Sequence, residues 1–208
     1  MSVELWAAFV IAATILLVIP GPTILLVVSQ AITHGRKSVV PLVAGVVSGD
    51  FTAMTLSLLG LAALLSASAA LFTVLKWIGA CYLFYLGVTL WRSRSDDERF
   101  SVASAVRSRG SLFKSSFIVT ALNPKGIAFF VAFLPQFINP KEQPQTQLFI
   151  LGATFLVLAG INAALYATFA GHVRDAMRNA TVRRWFNRCG GTVLIGAGAL
   201  TAAMERSS

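Results

Sequence analysis

Residues 5–31 read LWAAFVIAATILLVIPGPTILLVVSQA, and the four residues Ile19-Pro20-Gly21-Pro22 within that run decide how the chain folds. The run is long and apolar enough to cross ~30 Å of hydrocarbon, which takes ~20 helical residues. Proline removes a backbone donor, and glycine tolerates angles that other residues avoid, so Pro20-Gly21-Pro22 interrupts the helix near mid-membrane. Each N–H or C=O freed there is costly in lipid, so broken backbone persists only where protein buries it or where it lines a polar cavity. The break is therefore a candidate ligand site. For this triplet alone, a proline kink repaired by neighbouring helices is the other reading.

Outward from that stretch, the composition supports a chain immersed in lipid. The 208 residues are 56% hydrophobic, and the mean hydropathy of +0.76 lies far from the balance of a soluble domain. No segment shows the alternation of a barrel strand, so the expected class is an all-α integral membrane protein. The start, Met-Ser-Val-Glu, lacks the basic region of a cleavable signal, so the first run is expected to be a span. The net charge of +9 does not indicate nucleic acid, because the basic residues cluster in short segments between apolar runs. Cys81 and Cys189 form no CxxC pair and no metal-ligand spacing, so a packing role is expected for both.

Six spans are expected, at about Leu5–Ala31, Val39–Leu65, Phe72–Trp91, Ser115–Ile138, Leu148–Gly171 and Gly190–Met204. Arg36 and Lys37 follow the first. Arg92, Arg94, Arg99, Arg107, Arg109 and Lys114 follow the third, and Arg174, Arg178, Arg183, Arg184 and Arg188 follow the fifth. Thirteen of the seventeen Lys and Arg thus fall on one side, which places these loops in the cytoplasm and both termini outside. Trp6, Trp77, Trp91 and Trp185 lie near span ends, as interfacial anchors do.

The polar segment 92–114, with Asp96-Asp97-Glu98, divides the chain into a first half, 1–91, and a second, 115–208. Pro20-Gly21-Pro22 answers Asn123-Pro124-Lys125, and Val46-Val47-Ser48-Gly49-Asp50 answers Leu158-Ala159-Gly160-Ile161-Asn162. Gly79 and Gly87 answer Gly190 and Gly198. An odd number of spans per half makes the repeat inverted, with spans one and four broken. Paired interruptions in inverted halves point to a midplane binding site of a transporter.

Asp50 is the only carboxylate within an expected span, and burying it in a membrane is costly enough to make binding or proton carriage the default hypothesis. Capping freed backbone is its structural alternative. Lys125 is the only cation near the middle of a span, Lys76 lying close to the start of span three, and is a partner for Asp50 or a binder of carboxylates, although a long lysine can also snorkel to an interface. Gly45 and Gly49 form a small-residue face that lets span two approach a neighbour closely. His34 and His172 sit at span ends, where solvated positions are expected. A membrane enzyme would need several convergent polar groups, and no HExxH motif, second intramembrane acid or intramembrane His is present. A divalent-metal exporter would need more Asp, His or Cys in its spans than one Asp.

Pro20-Gly21-Pro22 with Gly35-Arg36, Gly45-x3-Gly49-Asp50, Asn123-Pro124-Lys125 and Phe129-Phe130-x2-Phe133-Leu134-Pro135-Gln136-Phe137, in that order, resemble the LysE/RhtB family of bacterial amino-acid exporters. The resemblance spans nearly the whole chain. It implies an inner-membrane exporter, not an enzyme, that moves amino acids or derivatives such as homoserine or threonine against protons. No cofactor, metal or nucleic acid is expected, and small-residue faces allow a homo-oligomer. By analogy the substrate site comprises Pro20, Gly21, Pro22, Asp50, Asn123, Pro124 and Lys125. The internal repeat adds Asn162, and Asp50 is the expected proton-coupling group.

Overall fold

In the computed structural model, residues 1–67, 69–92, 108–139 and 142–203 are described, and all regular structure among them is helical. Helix α1 (Val3–Val18) ends at the first break, after which α2 (Pro22–His34) begins with proline at its first helical position. Proline suits that position because the N–H it lacks would be unsatisfied there in any case. Gly35 follows with φ of 64°, a left-handed conformation that glycine adopts without strain, and a 3-10 turn then leads into α3 (Val39–Ala67). Pro22–Leu61 is 40 residues long, about twice what a bilayer needs at ~1.5 Å per residue, and carries the 3-10 turn at Gly35 within it.

Helices α4 (Ala69–Arg92) and α5 (Arg109–Ala121) follow. A second break separates α5 from α6 (Pro124–Ala128), which continues as a π turn over Phe129–Phe133 and a 3-10 turn over Leu134–Phe137. The helices on either side of this break are bent by 42°. Then come α7 (Pro144–Thr168), α8 (Ala170–Arg178) and α9 (Ala180–Ala203). By length and apolarity alone, Pro22–Leu61 and α7 qualify as membrane crossings, and the bent pair makes a third.

Side-chain pairings give the relative helix directions. Positions 17 and 18 of α1 meet 162 and 166 of α7, and 6 meets 154, so these two helices run parallel. Val47 lies against Gly160 and Met54 against Gly152, so α3 runs antiparallel to α7. Gly45 meets Phe113 and Ser116 while Gly49 meets Phe117 and Thr120, so α3 and α5 are parallel. Gly87 meets Ile195 and Trp91 meets Gly191, which makes α4 and α9 antiparallel.

The glycines set how close these helices come. A Cβ on Gly45 would lie 2.0 Å from Ser116 Oγ and 2.5 Å from the Phe113 carbonyl, and one on Gly49 would lie 2.8 Å from the Phe117 carbonyl. No larger residue fits, so α5 is held against α3 and the second break is brought toward Asp50. An aromatic core of Phe9, Phe129, Phe130, Phe133, Phe137 and Phe155 packs behind it, with ring centroids 4.9–6.1 Å apart.

Some expectations need correction. The segment after span five is helical: Arg174 and Arg178 lie on α8, while Arg183, Arg184 and Arg188 lie on α9, which begins at Ala180 and not near Gly190. Charge ends a span but not a helix, because the backbone ladder is indifferent to polar side chains at a membrane surface. For the same reason α5 begins at Arg109, within the segment 92–114 expected to link the halves. Asp96-Asp97-Glu98 lies outside the described residues. Cys81 and Cys189 are both exposed on their helices, so neither has the packing role expected of it.

Candidate functional site

The two breaks face each other across a small cavity lined by five of the expected residues, Gly21, Asp50, Asn123, Lys125 and Asn162. Pro20, Pro22 and Pro124 do not line it; they belong to the interruptions themselves. The cavity's free volume is about 30 Å³. Since ~10–15 Å³ admits one water, this is room for a few waters and not for an amino acid.

The α1 end leaves its last carbonyls without intrahelical donors, and side chains of the second half supply them. Lys125 Nζ donates to the Leu16 carbonyl at 2.9 Å and to that of Ile19 at 2.8 Å. Asn162 Nδ2 donates to Leu17 at 3.1 Å, and Tyr166 Oη to Val18 at 2.7 Å. All four exposed acceptors of the broken helix are met, and the cation sits at the negative end of its dipole. Lys125, expected as a carboxylate binder, thus has two of its three donors engaged with backbone.

The second break is arranged differently. Asn123 caps α6 with its own side-chain oxygen, which accepts from Lys125 N at 3.1 Å. Its Nδ2 donates to Thr23 Oγ1 at 3.1 Å, and Thr120 Oγ1 donates to the same hydroxyl at 3.3 Å. Gly21 gives α2 no side-chain cap.

Asp50 is only 7% exposed and makes no hydrogen bond among the described residues. Its Oδ1 lies 3.9 Å from where a Gly126 Cβ would stand, so it is set against the second break. No ion-pair contact joins it to Lys125, although both face the cavity. A buried carboxylate and a partly engaged ammonium across one small cavity can bind opposite charges, and the carboxylate can take up a proton.

Three residues were missed in the sequence. Thr23 and Thr120 carry no charge and stand out only once the breaks face each other. Tyr166 had a signal: it lies four residues, one helical turn, after Asn162 and so shares its face. The structure also shifts the pairing of the breaks by one residue. Gly21 and Asn123 both occupy the cap and Pro22 and Pro124 both start a helix, so Thr23 stands where Lys125 does.

A family model described as LysE type translocator matches residues 14–205. The homoserine/homoserine lactone efflux protein of Salmonella typhimurium is 34% identical, with all of both chains covered. The leucine efflux protein of an Enterobacter species is 31% identical over 78% of this chain and 77% of its own. An uncharacterized membrane protein of Vibrio cholerae is 29% identical over 99% of this chain and 100% of its own. No solved structure matches.

Proposed function

This chain belongs to the LysE type translocator family, and we propose that it exports amino acids or close derivatives, such as homoserine or threonine, across the bacterial inner membrane. The observation that carries this reading is the cavity between the two breaks, lined by both Lys125 and Asp50, which makes no hydrogen bond among the described residues. A zwitterion presents the complementary pair of charges. Its carboxylate faces Lys125 and the uncapped α2 N-terminus, and its ammonium faces Asp50 or the α1 carbonyls.

The proposed architecture is six spans in two inverted repeats, 1–91 and 115–208, joined by the segment 92–114. The four helix directions described above support it, since alternating spans put one parallel to five, two parallel to four, two antiparallel to five and three antiparallel to six. Rocking of one half on the other gives alternating access, and the small cavity is one stage of that cycle. Asp50 carries the counter-moving proton, which the substrate ammonium displaces.

Everted membrane vesicles carrying the protein, offered a panel of amino acids together with cadmium and zinc, test the function. Energised uptake of at least one amino acid is expected; uptake of metal alone, or of nothing, overturns the reading. For orientation, cysteines introduced at Ser2 and Ser208 are expected to react with an impermeant reagent in intact cells and one at Ser104 is not. Labelling at Ser104 reverses the topology.

A further inference from the structure

Of the four α1 carbonyls, Leu17 and Val18 take neutral donors, but Leu16 and Ile19 share one cation, the primary ammonium of Lys125. An ammonium held at the negative end of a helix dipole is the same chemistry that would hold a substrate's amino group. We propose that the Leu16 and Ile19 carbonyls form the ammonium subsite of the transport site, that Lys125 fills it while substrate is absent, and that the substrate's primary ammonium displaces it. Lys125 then takes the substrate's carboxylate. The proposal deepens the exporter reading and rests on it.

Three observations support the exchange. First, Lys125 Nζ and Cε lie 3.4 and 3.5 Å from where a Gly21 Cβ would stand, so position 21 borders the seat of the ammonium and, as glycine, leaves space beside it. Second, the cavity lies directly beside the seat and is lined by both Lys125 and Leu16. Third, the exchange re-pairs both of the charges that it moves. A zwitterion supplies one ammonium to the carbonyls and one carboxylate to the displaced lysine, and a buried cation stripped of its acceptors would be costly. An amine alone offers Lys125 no new acceptor, and a carboxylate alone leaves the seat occupied by lysine. The device therefore selects molecules that carry both groups, independently of their side chain.

The test uses the purified full chain in lipid nanodiscs, titrated calorimetrically with propylammonium, propionate, L-homoserine and L-leucine. Lys125→Met keeps an unbranched apolar stem, ends one atom short of the ammonium position and carries no donor, so it vacates the seat. Propylammonium is expected to bind this variant at least ~10-fold more tightly than wild type, while propionate binds neither. Unchanged propylammonium affinity overturns the proposal. Should Lys125→Met fail to fold, Lys125→Ala also vacates the seat, and the same gain for propylammonium over wild type is expected, with its absence again decisive. If wild type exports no amino acid in vesicles, the exporter reading falls, and the propylammonium titration still decides whether the carbonyl pair is an ammonium seat.

Discussion

At the first break Gly21 offers α2 no cap and the α1 carbonyls are met from α6 and α7. At the second, Asn123 caps its own helix and passes its amide to Thr23. The first break is thus held entirely by side chains from α6 and α7, whereas the second caps its own helix and is tied across to α2 only through the hydroxyl of Thr23, which Asn123 and Thr120 share. Movement of α1 and α2 against α5 to α7 would have to remake four bonds to carbonyls at the first break and two to one hydroxyl at the second. The Phe core, the short α6 and the π turn lie behind the second break. π turns recur at functional sites, where they re-aim the side chains around them.

The largest expected effect comes from filling the first break. Gly21→Leu should reduce transport to background while the protein still inserts, because the added branch must displace Lys125. Gly21→Ala should retain transport, since its Cβ makes only an ordinary contact at 3.4 Å. Export assays beside a membrane-fraction blot distinguish the two, and normal export by Gly21→Leu would reduce the break to a kink.

Next in size is Asp50→Asn, which keeps the shape of the side chain but cannot titrate. In proteoliposomes with an imposed pH gradient it should lose accumulation and retain much of the exchange of labelled for unlabelled substrate. Full gradient-driven accumulation by Asp50→Asn would remove the proton-carrying role and leave the exporter reading standing.

Smaller effects separate the two ways of holding a break. Asn162→Ala leaves the Leu17 carbonyl without its donor and should cost about 1–3 kcal/mol of stability, and Tyr166→Phe should cost about 1 kcal/mol through Val18. Both should also change substrate affinity, because they act on the break that lines the cavity. Loss of the cap in Asn123→Ala should cost ~1 kcal/mol. Unfolding titrations in mixed micelles measure all three. A cost for Tyr166→Phe no greater than that of an exposed substitution would show that the first break does not depend on the second half.

Much of this was legible in the chain itself. Pro20-Gly21-Pro22 and Asn123-Pro124 announce their interruptions because proline and glycine act on their own backbone, whatever surrounds them. Asp50 and Lys125 stand out as the charges near the middle of apolar runs, and the Gly45 and Gly49 face does lie against another helix. The Arg-rich start of α9 was not legible as helix, since apolarity marks membrane depth and not helicity.

Sequence alone determined that the chain is helical, apolar, broken twice and charged at two inner positions, because each of these is a local property of residue type. Only the tertiary structure decided that Lys125 reaches the carbonyls of Leu16 and Ile19, that Tyr166 joins Asn162 on the same broken end, and that Thr23 receives the amide of Asn123. Those pairings join residues about 100 to 150 positions apart. They depend on which helix lies opposite and how closely it approaches, and that spacing is set by the contact of Gly45 and Gly49 with α5 and of α1 with α7.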